Sequence, residues 1–150
     1  PTEDVILQNA HILKHALGWG VGLRQLCDVA RLCHRRKEEV NGKEVEEVCR
    51  LAGITDWTSL LHSFLIDYMG MPEASLPFAT KHISSEPLLY RILRGGNFGQ
   101  HRKDMDKAAS GSLKRKIHRA CSFAQNAAFA LRYAPGEGAR TFWTLLRGQF

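Results

Sequence analysis

The sequence predicts an all-α protein, an irregular bundle of about six or seven helices with one long glycine-rich loop. Apolar residues recur at three- and four-residue spacings along most of the chain, and residues typical of helix starts and ends separate the segments. The strict apolar–polar alternation of a β-strand is almost absent. With 150 residues, 44% of them hydrophobic, we expect one helical domain over residues 1–150 with a single core.

The first helix is predicted to follow Thr2, a plausible N-cap, because Glu3 and Asp4 come next and acids are favoured near a helix start. It should continue to about Leu17, where Gly18 provides a stop.

The second helix is predicted from about Gly22 to Lys37. Its apolar face is expected to consist of Leu23, Leu26, Cys27, Ala30 and Cys33.

The third helix has the clearest start, since Asn41 at the N-cap and Glu44 three residues later resemble a capping box. It should end at Gly53, and a fourth helix should run from about Asp56 to Met69. The residues expected to be buried on the third helix are Val45, Val48, Cys49 and Ala52. The apolar residues of the fourth are Leu60, Leu61, Phe64, Leu65 and Tyr68.

Two prolines interrupt the chain in "GMPEASLPF", and a short helix then follows to about Arg94, with Ser85 as its cap and Pro87 in its first turn. The segment "RGGNFGQHRKDMDKAASGS", residues 94–112, is the predicted long loop.

The last predicted elements are a long helix from about Ser112 to Tyr133 and a terminal apolar helix over residues 139–150. "APG" at 134–136 should separate them.

Most of the net charge of +6 falls in residues 102–119, which hold seven basic and two acidic side chains. Such a segment attracts a nucleotide, a nucleic acid or an acidic acceptor. It is equally typical of a solvated loop followed by the polar face of a helix. The four cysteines form no C-x-x-C pair and lie in apolar helical patterns, so we expect buried, reduced thiols.

Neither a bilayer-spanning apolar run nor a signal peptide is visible, and we expect a cytoplasmic protein without a membrane partner. The chain opens on Pro1 instead of methionine, so we expect it to be part of a longer protein.

Two groups of metal-ligand residues have weak contexts. His11 and His15 have the spacing of a zinc-protease helix, but Ile12 stands where the general base belongs and no third ligand is evident. Asp104 and Asp106 lie in the lysine-rich loop with no preceding strand. We therefore expect neither a catalytic residue nor a bound metal in this chain.

The segment "HALGWGVGLRQLCDVARL", residues 15–32, allows two interpretations. It lacks the G-x-G-x-x-G pattern and a preceding strand, which excludes a dinucleotide-binding loop. The glycines either bring an anion to the helix start beside Arg24, or only permit a tight corner. In the second case Arg24 and Asp28 would form a surface ion pair.

The stretch "LQNAHILKHALGWGVGLRQLCDVARL" resembles the C-terminal helical region of a family of uncharacterised bacterial nucleotidyltransferase-like proteins. That family repeats a His…Lys-His…Gly-x-Gly-Leu-Arg-x-Leu-x-Asp pattern. "LRGGNFG" at 93–99 and "RYAPGEGARTFWTLLR" at 132–147 resemble its glycine–asparagine loop and its closing aromatic helix, in the same order.

The resemblance implies a helical accessory domain of a polymerase-β-type nucleotidyltransferase. The missing partner is then an N-terminal α/β domain whose Gly-Ser and Asp-x-Asp motifs bind magnesium and a nucleoside triphosphate. The residues that match the pattern, and are implied to bind substrate, are His11, His15, Arg24, Asp28 and Asn97. The alternative is a standalone helical module that uses residues 102–119 to bind nucleic acid or another protein.

Overall fold

The computed structural model describes residues 1–17, 20–95 and 127–146, and within these ranges every regular element is helical. The all-α prediction is therefore confirmed for the described chain. In order, the elements are α1 (Thr2–Leu17), α2 (Leu23–Arg36), α3 (Gly42–Leu51), α4 (Thr55–Met69), a 3₁₀ turn (Glu73–Ser75), α5 (Glu86–Gly95), α6 (127–133) and α7 (Pro135–Leu146).

Helix α4 is the centre of the described bundle. All of residues 57–65 are buried. Over these nine residues the helix is covered on every side instead of having one face toward solvent. Helices α2, α3 and α5 pack against α4, and α1 packs on α2 and α3. Each large apolar side chain removed from water here contributes about 1.5–3 kcal/mol to folding.

A buried polar network ties α1 to α3 and α4. The Asn9 amide donates to Thr58 Oγ1 (2.8 Å) and to Cys49 Sγ (3.4 Å). Its own Oδ1 accepts from Trp57 Nε1 at 2.7 Å. Asn9 is only 4% exposed, so these bonds offset the cost of burying its amide among apolar side chains.

The predicted capping residues act in three different ways. Asn41 caps α3 as expected, since its side chain accepts from the Glu44 N–H. Helix α1 already begins at Thr2, and the Thr2 hydroxyl instead accepts the Asn41 N–H at 3.0 Å, which links the starts of α1 and α3. Ser85 precedes α5 as predicted, and its hydroxyl donates to the Asp67 carboxylate of α4.

The predicted buried faces need correction on two helices. Leu23 and Cys27 of α2 are exposed, while Val29, which the prediction omitted, is buried. The buried row of this helix is at positions 26, 29 and 33. Spacing alone does not distinguish this row from the neighbouring apolar positions 23, 27 and 30 as the one that meets α4. Ala52 is exposed as well, because it lies just beyond the last residue of α3.

The prediction for the cysteines is correct in part. Cys33 and Cys49 are buried free thiols, and burial raises the pKa of Cys33 to about 11. Cys27 is a free thiol at the surface, so its predicted burial was wrong. Cys121 lies outside the described residues.

The C-terminal break is shorter than predicted. Helix α6 ends at Tyr133, as expected, but α7 begins at Pro135, four residues ahead of the predicted start. Proline is favoured at a first helical position, where its missing N–H is not needed. Gly138 allows the close turn, since a Cβ there would lie 2.9 Å from the Ala130 Cβ. The predicted helix start near Ser112 and the 94–112 loop beyond Gly95 lie outside the described residues.

Within these same ranges, no helix combines the length and the apolar character that crossing a bilayer requires.

Candidate functional site at the α1–α2 corner

Three residues shape the corner between α1 and α2. Gly20 has φ of 109°, a conformation that side chains with a Cβ rarely adopt, and its N–H donates to the His15 carbonyl at 2.9 Å. Val21 is fully buried and holds the corner against the core. Gly22 has φ of −92°, so its backbone does not itself require glycine.

The first turn of α2 carries N–H groups for which the described residues supply no acceptor. Gly22 and Gln25 cap it reciprocally: the Gly22 N–H donates to Gln25 Oε1, and the Gln25 N–H donates to the Gly22 carbonyl, both at 3.1 Å. The N–H groups of Leu23 and Arg24 lie in the first turn, where a helix offers no carbonyl to accept them. This end of α2 therefore presents donors and a partial positive charge.

Arg91 of α5 offsets the partial negative charge at the C-terminal end of α1. Its Nη1 donates to the Ala16 carbonyl at 2.6 Å, and its guanidinium lies 4.0 Å from the centre of the Phe129 ring. A cation at a helix C-terminus offsets the partial negative charge of the dipole there. Nothing in the local sequence pattern indicated Arg91, because its partner is 75 residues away.

The two predicted histidines are in direct contact. The Nε2 atoms of His11 and His15 are 3.1 Å apart, and the rings meet edge to face with centroids at 4.5 Å. His11 is exposed and His15 is half-buried. Burial, and then the charges of His11 and Lys14, lower the pKa of His15, so this ring is neutral at pH 7. A neutral His15 ring adds no positive charge toward a phosphate.

Arg24 and Asp28 are both exposed at the start of α2. Within the described chain they are not within ion-pair distance of each other, so the ion pair expected for a plain corner is not formed. No hydrogen bond or ion pair between described residues joins them to the histidine pair either. Asn97, the fifth predicted site residue, lies outside the described residues, as do Asp104 and Asp106.

A second polar cluster joins α4 to the segment that precedes α5, but its hydrogen bonds do not follow the order of a nucleophilic triad. The Asp67 carboxylate accepts the Ser85 hydroxyl and lies 2.9 Å from His82 Nε2. These two hydrogen bonds lower the pKa of Asp67. In a triad the histidine receives the serine proton, whereas here the carboxylate does. We interpret this cluster as a tie between α4 and that segment.

Comparison with known proteins gives no match: no family model, no curated protein and no solved structure is similar to this chain.

Proposed function

We propose that this chain is the helical accessory and substrate-binding domain of a nucleotidyltransferase whose catalytic α/β domain belongs to another part of a longer bacterial, cytoplasmic protein. The α1–α2 corner would bind phosphate groups of the nucleotide or of an anionic acceptor. The observation that carries the proposal is an exposed helix start with an arginine in its first turn, Arg24, that has no ion-pair partner among the described residues.

The electrostatics of the corner favour an anion over a cation. The negative end of α1 is offset by Arg91, while the positive end of α2 is offset by no acidic residue in its first turn. An anion at a helix N-terminus gains about 0.3–1 kcal/mol from the dipole. A hydrogen bond to a charged group adds about 1.5–3 kcal/mol, and a guanidinium can grip phosphate with two such bonds.

The other matched residues would have different roles. His15, neutral at pH 7, and the exposed His11 would act as hydrogen-bonding groups beside the anion. Asp28 lies one turn beyond Arg24, so its negative charge opposes anion binding and would instead accept hydroxyl or amino donors of the ligand. Magnesium and the nucleoside triphosphate would be held mainly by the catalytic domain.

The direct experiment measures nucleotide affinity of the full-length protein with Arg24→Ala. We expect Kd to rise about tenfold, the loss of one charge-assisted contact. Arg31→Ala is the matched control, since Arg31 is equally exposed on α2 but about 10 Å farther along the helix. Equal affinities for the two variants would remove Arg24 from the site.

The class of enzyme is tested by the coding sequence that precedes Pro1. A Gly-Ser pair followed closely by Asp-x-Asp on a predicted strand would support nucleotidyl transfer. A preceding region without any such pair of carboxylates would leave the chain without a catalytic partner and contradict the proposal.

The basic segment at 102–119 supports a second candidate function, binding to nucleic acid, because it carries a net charge of +5. Lysine and arginine contacts to phosphates release counterions, so this binding should weaken steeply as salt is raised. A mobility-shift assay at two salt concentrations tests it. A shift that is absent, or that does not weaken as the salt is raised, would exclude it.

A further inference from the structure

We propose that His11 and His15 form an open two-histidine site for a divalent first-row transition-metal ion. The inference is independent of the proposed function, because it depends only on the geometry of α1 and the chemistry of imidazole. Imidazole nitrogen suits Ni²⁺, Cu²⁺ and Zn²⁺, and poorly suits Mg²⁺ and Ca²⁺.

The two nitrogens already have the separation that one ion requires. The Nε2 atoms are 3.1 Å apart on the same face of α1. With metal–nitrogen bonds of about 2.0–2.1 Å, that separation corresponds to an angle at the metal of about 100°. This value lies between the angles of octahedral and tetrahedral sites, so the separation of the two nitrogens needs little change, while the rings turn to aim both lone pairs at the ion.

The protonation of the pair is compatible with metal binding. A neutral imidazole has a nitrogen lone pair available for a metal ion. Without metal, one Nε2 carries a proton and donates it to the other. On binding, the donating ring moves this proton to its Nδ1, so both Nε2 lone pairs reach the ion and no net proton is released.

The protein would supply two ligands and leave the remaining positions open. The described ranges contain no group of three or more histidine, cysteine, aspartate or glutamate side chains arranged for a metal. Water or an anionic ligand would then complete the shell, as in catalytic rather than structural metal sites. His11 is exposed, which gives the ion access from solvent.

Calorimetric titration of the tag-free chain with NiCl₂ tests the proposal. We expect one site at the pair, and His11→Ala should weaken it at least about tenfold, since losing even an outer-shell partner costs that much at metal sites. His11 is exposed, so the variant should fold, which circular dichroism checks. An unchanged Kd in His11→Ala would overturn the proposal.

Three further variants test whether binding needs the four-residue spacing of the two histidines or only the presence of metal-binding side chains. The double variant Ala10→His/His11→Ala keeps two histidines but places them five residues apart, on different faces, and should bind as weakly as His11→Ala. His34→Ala and Cys27→Ser remove an exposed imidazole and an exposed thiol from α2 and should leave Kd unchanged. Binding that survives the spacing change, or that depends on either α2 residue, would contradict the site.

Discussion

A single buried amide, Asn9, accounts for much of the specificity of the core. It is the partner of an indole N–H, a hydroxyl and a thiol that come from two other helices. An apolar residue at this position would leave the Trp57 N–H without its shorter bond, the one to the Asn9 side chain. Leaving a buried donor unsatisfied is costly, so this network selects one arrangement of α1 against α3 and α4.

We therefore predict that Asn9→Ala lowers the free energy of unfolding by about 3 kcal/mol, combining lost hydrogen bonds with a small cavity. Urea denaturation measures the change. The neighbouring Gln8→Ala is the control, because Gln8 is only half-buried, and its effect should stay within about 0.5 kcal/mol. Similar losses for both variants would show that the network does not carry this stability.

His62 makes stability depend on pH in the mildly acidic range. Burial in α4 lowers its pKa to about 4, against about 6.5 in an unfolded chain. Between these values the unfolded state binds the proton and the folded state does not, so stability falls as pH decreases from about 6.5 to 4. The loss should be about 2 kcal/mol between pH 7 and pH 5.

His62→Asn tests this, since asparagine can still hydrogen-bond Thr80 but does not titrate. Unfolding free energies at pH 7 and pH 5 should differ by about 2 kcal/mol less in this variant than in the original chain. His34→Asn, at the surface, should keep the original difference. A pH dependence that is the same in all three proteins would assign it to other groups.

The start of α3 depends on the absence of a side chain at Gly42. A Cβ there would lie 1.9 Å from the Pro77 carbonyl oxygen, a backbone atom that cannot move alone. Alanine is the better helix former by about 1 kcal/mol, yet overpacking costs about 1–3 kcal/mol. Gly42→Ala should therefore lower the melting temperature.

Gly136 of α7 gives the opposite test. Among the described residues, the nearest atom to a Cβ at this position is the Ala52 carbonyl oxygen at 4.0 Å, which leaves room for alanine. Gly136→Ala should leave the melting temperature unchanged or raise it, with a gain of up to about 1 kcal/mol. If Gly42→Ala also proved neutral, the close approach of α3 to the segment around Pro77 would be wrong.

Arg91 joins three helices, because it extends from α5 to a carbonyl of α1 and to the Phe129 ring of α6. Replacing it with glutamine should cost about 1.5–3 kcal/mol of unfolding free energy, from the lost charge-assisted bond and ring contact. Arg91→Lys keeps the charge and should recover only part of the loss, since lysine lacks the planar guanidinium. Full recovery with lysine would mean that the ring contact contributes nothing.

The elements that were predictable are those whose signals are local. The start of α3 follows from Asn41 and Glu44, and the end of α6 from the residues after Tyr133. The choice of buried row on α2 depends on where α4 lies, so Val29 was missed and Cys27 was misplaced. The bond of Ser85 to Asp67 and the contact of Arg91 with α1 are likewise set by packing between distant segments.

The molecule as a whole combines an α4 that is buried over residues 57–65 with a corner whose two helix ends differ in charge. The sequence indicated that corner through its glycines and Arg24, but it did not decide between an anion-binding helix start and a plain tight corner. The missing Arg24–Asp28 ion pair and the contact of Arg91 with Ala16 favour the anion-binding interpretation. The proposed anion site requires this charge distribution between the two helix ends.

Titration of the 150-residue chain with tripolyphosphate at about 0.1 M salt, followed by amide NMR shifts, tests that distribution most directly. Arg24→Gln should weaken binding about tenfold, and Asp28→Asn should strengthen it about two- to fivefold. Arg31→Gln changes the net charge as Arg24→Gln does but lies about one Debye length away, so it should have little effect. Equal losses for Arg24→Gln and Arg31→Gln, with no gain for Asp28→Asn, would contradict an anion site at the start of α2.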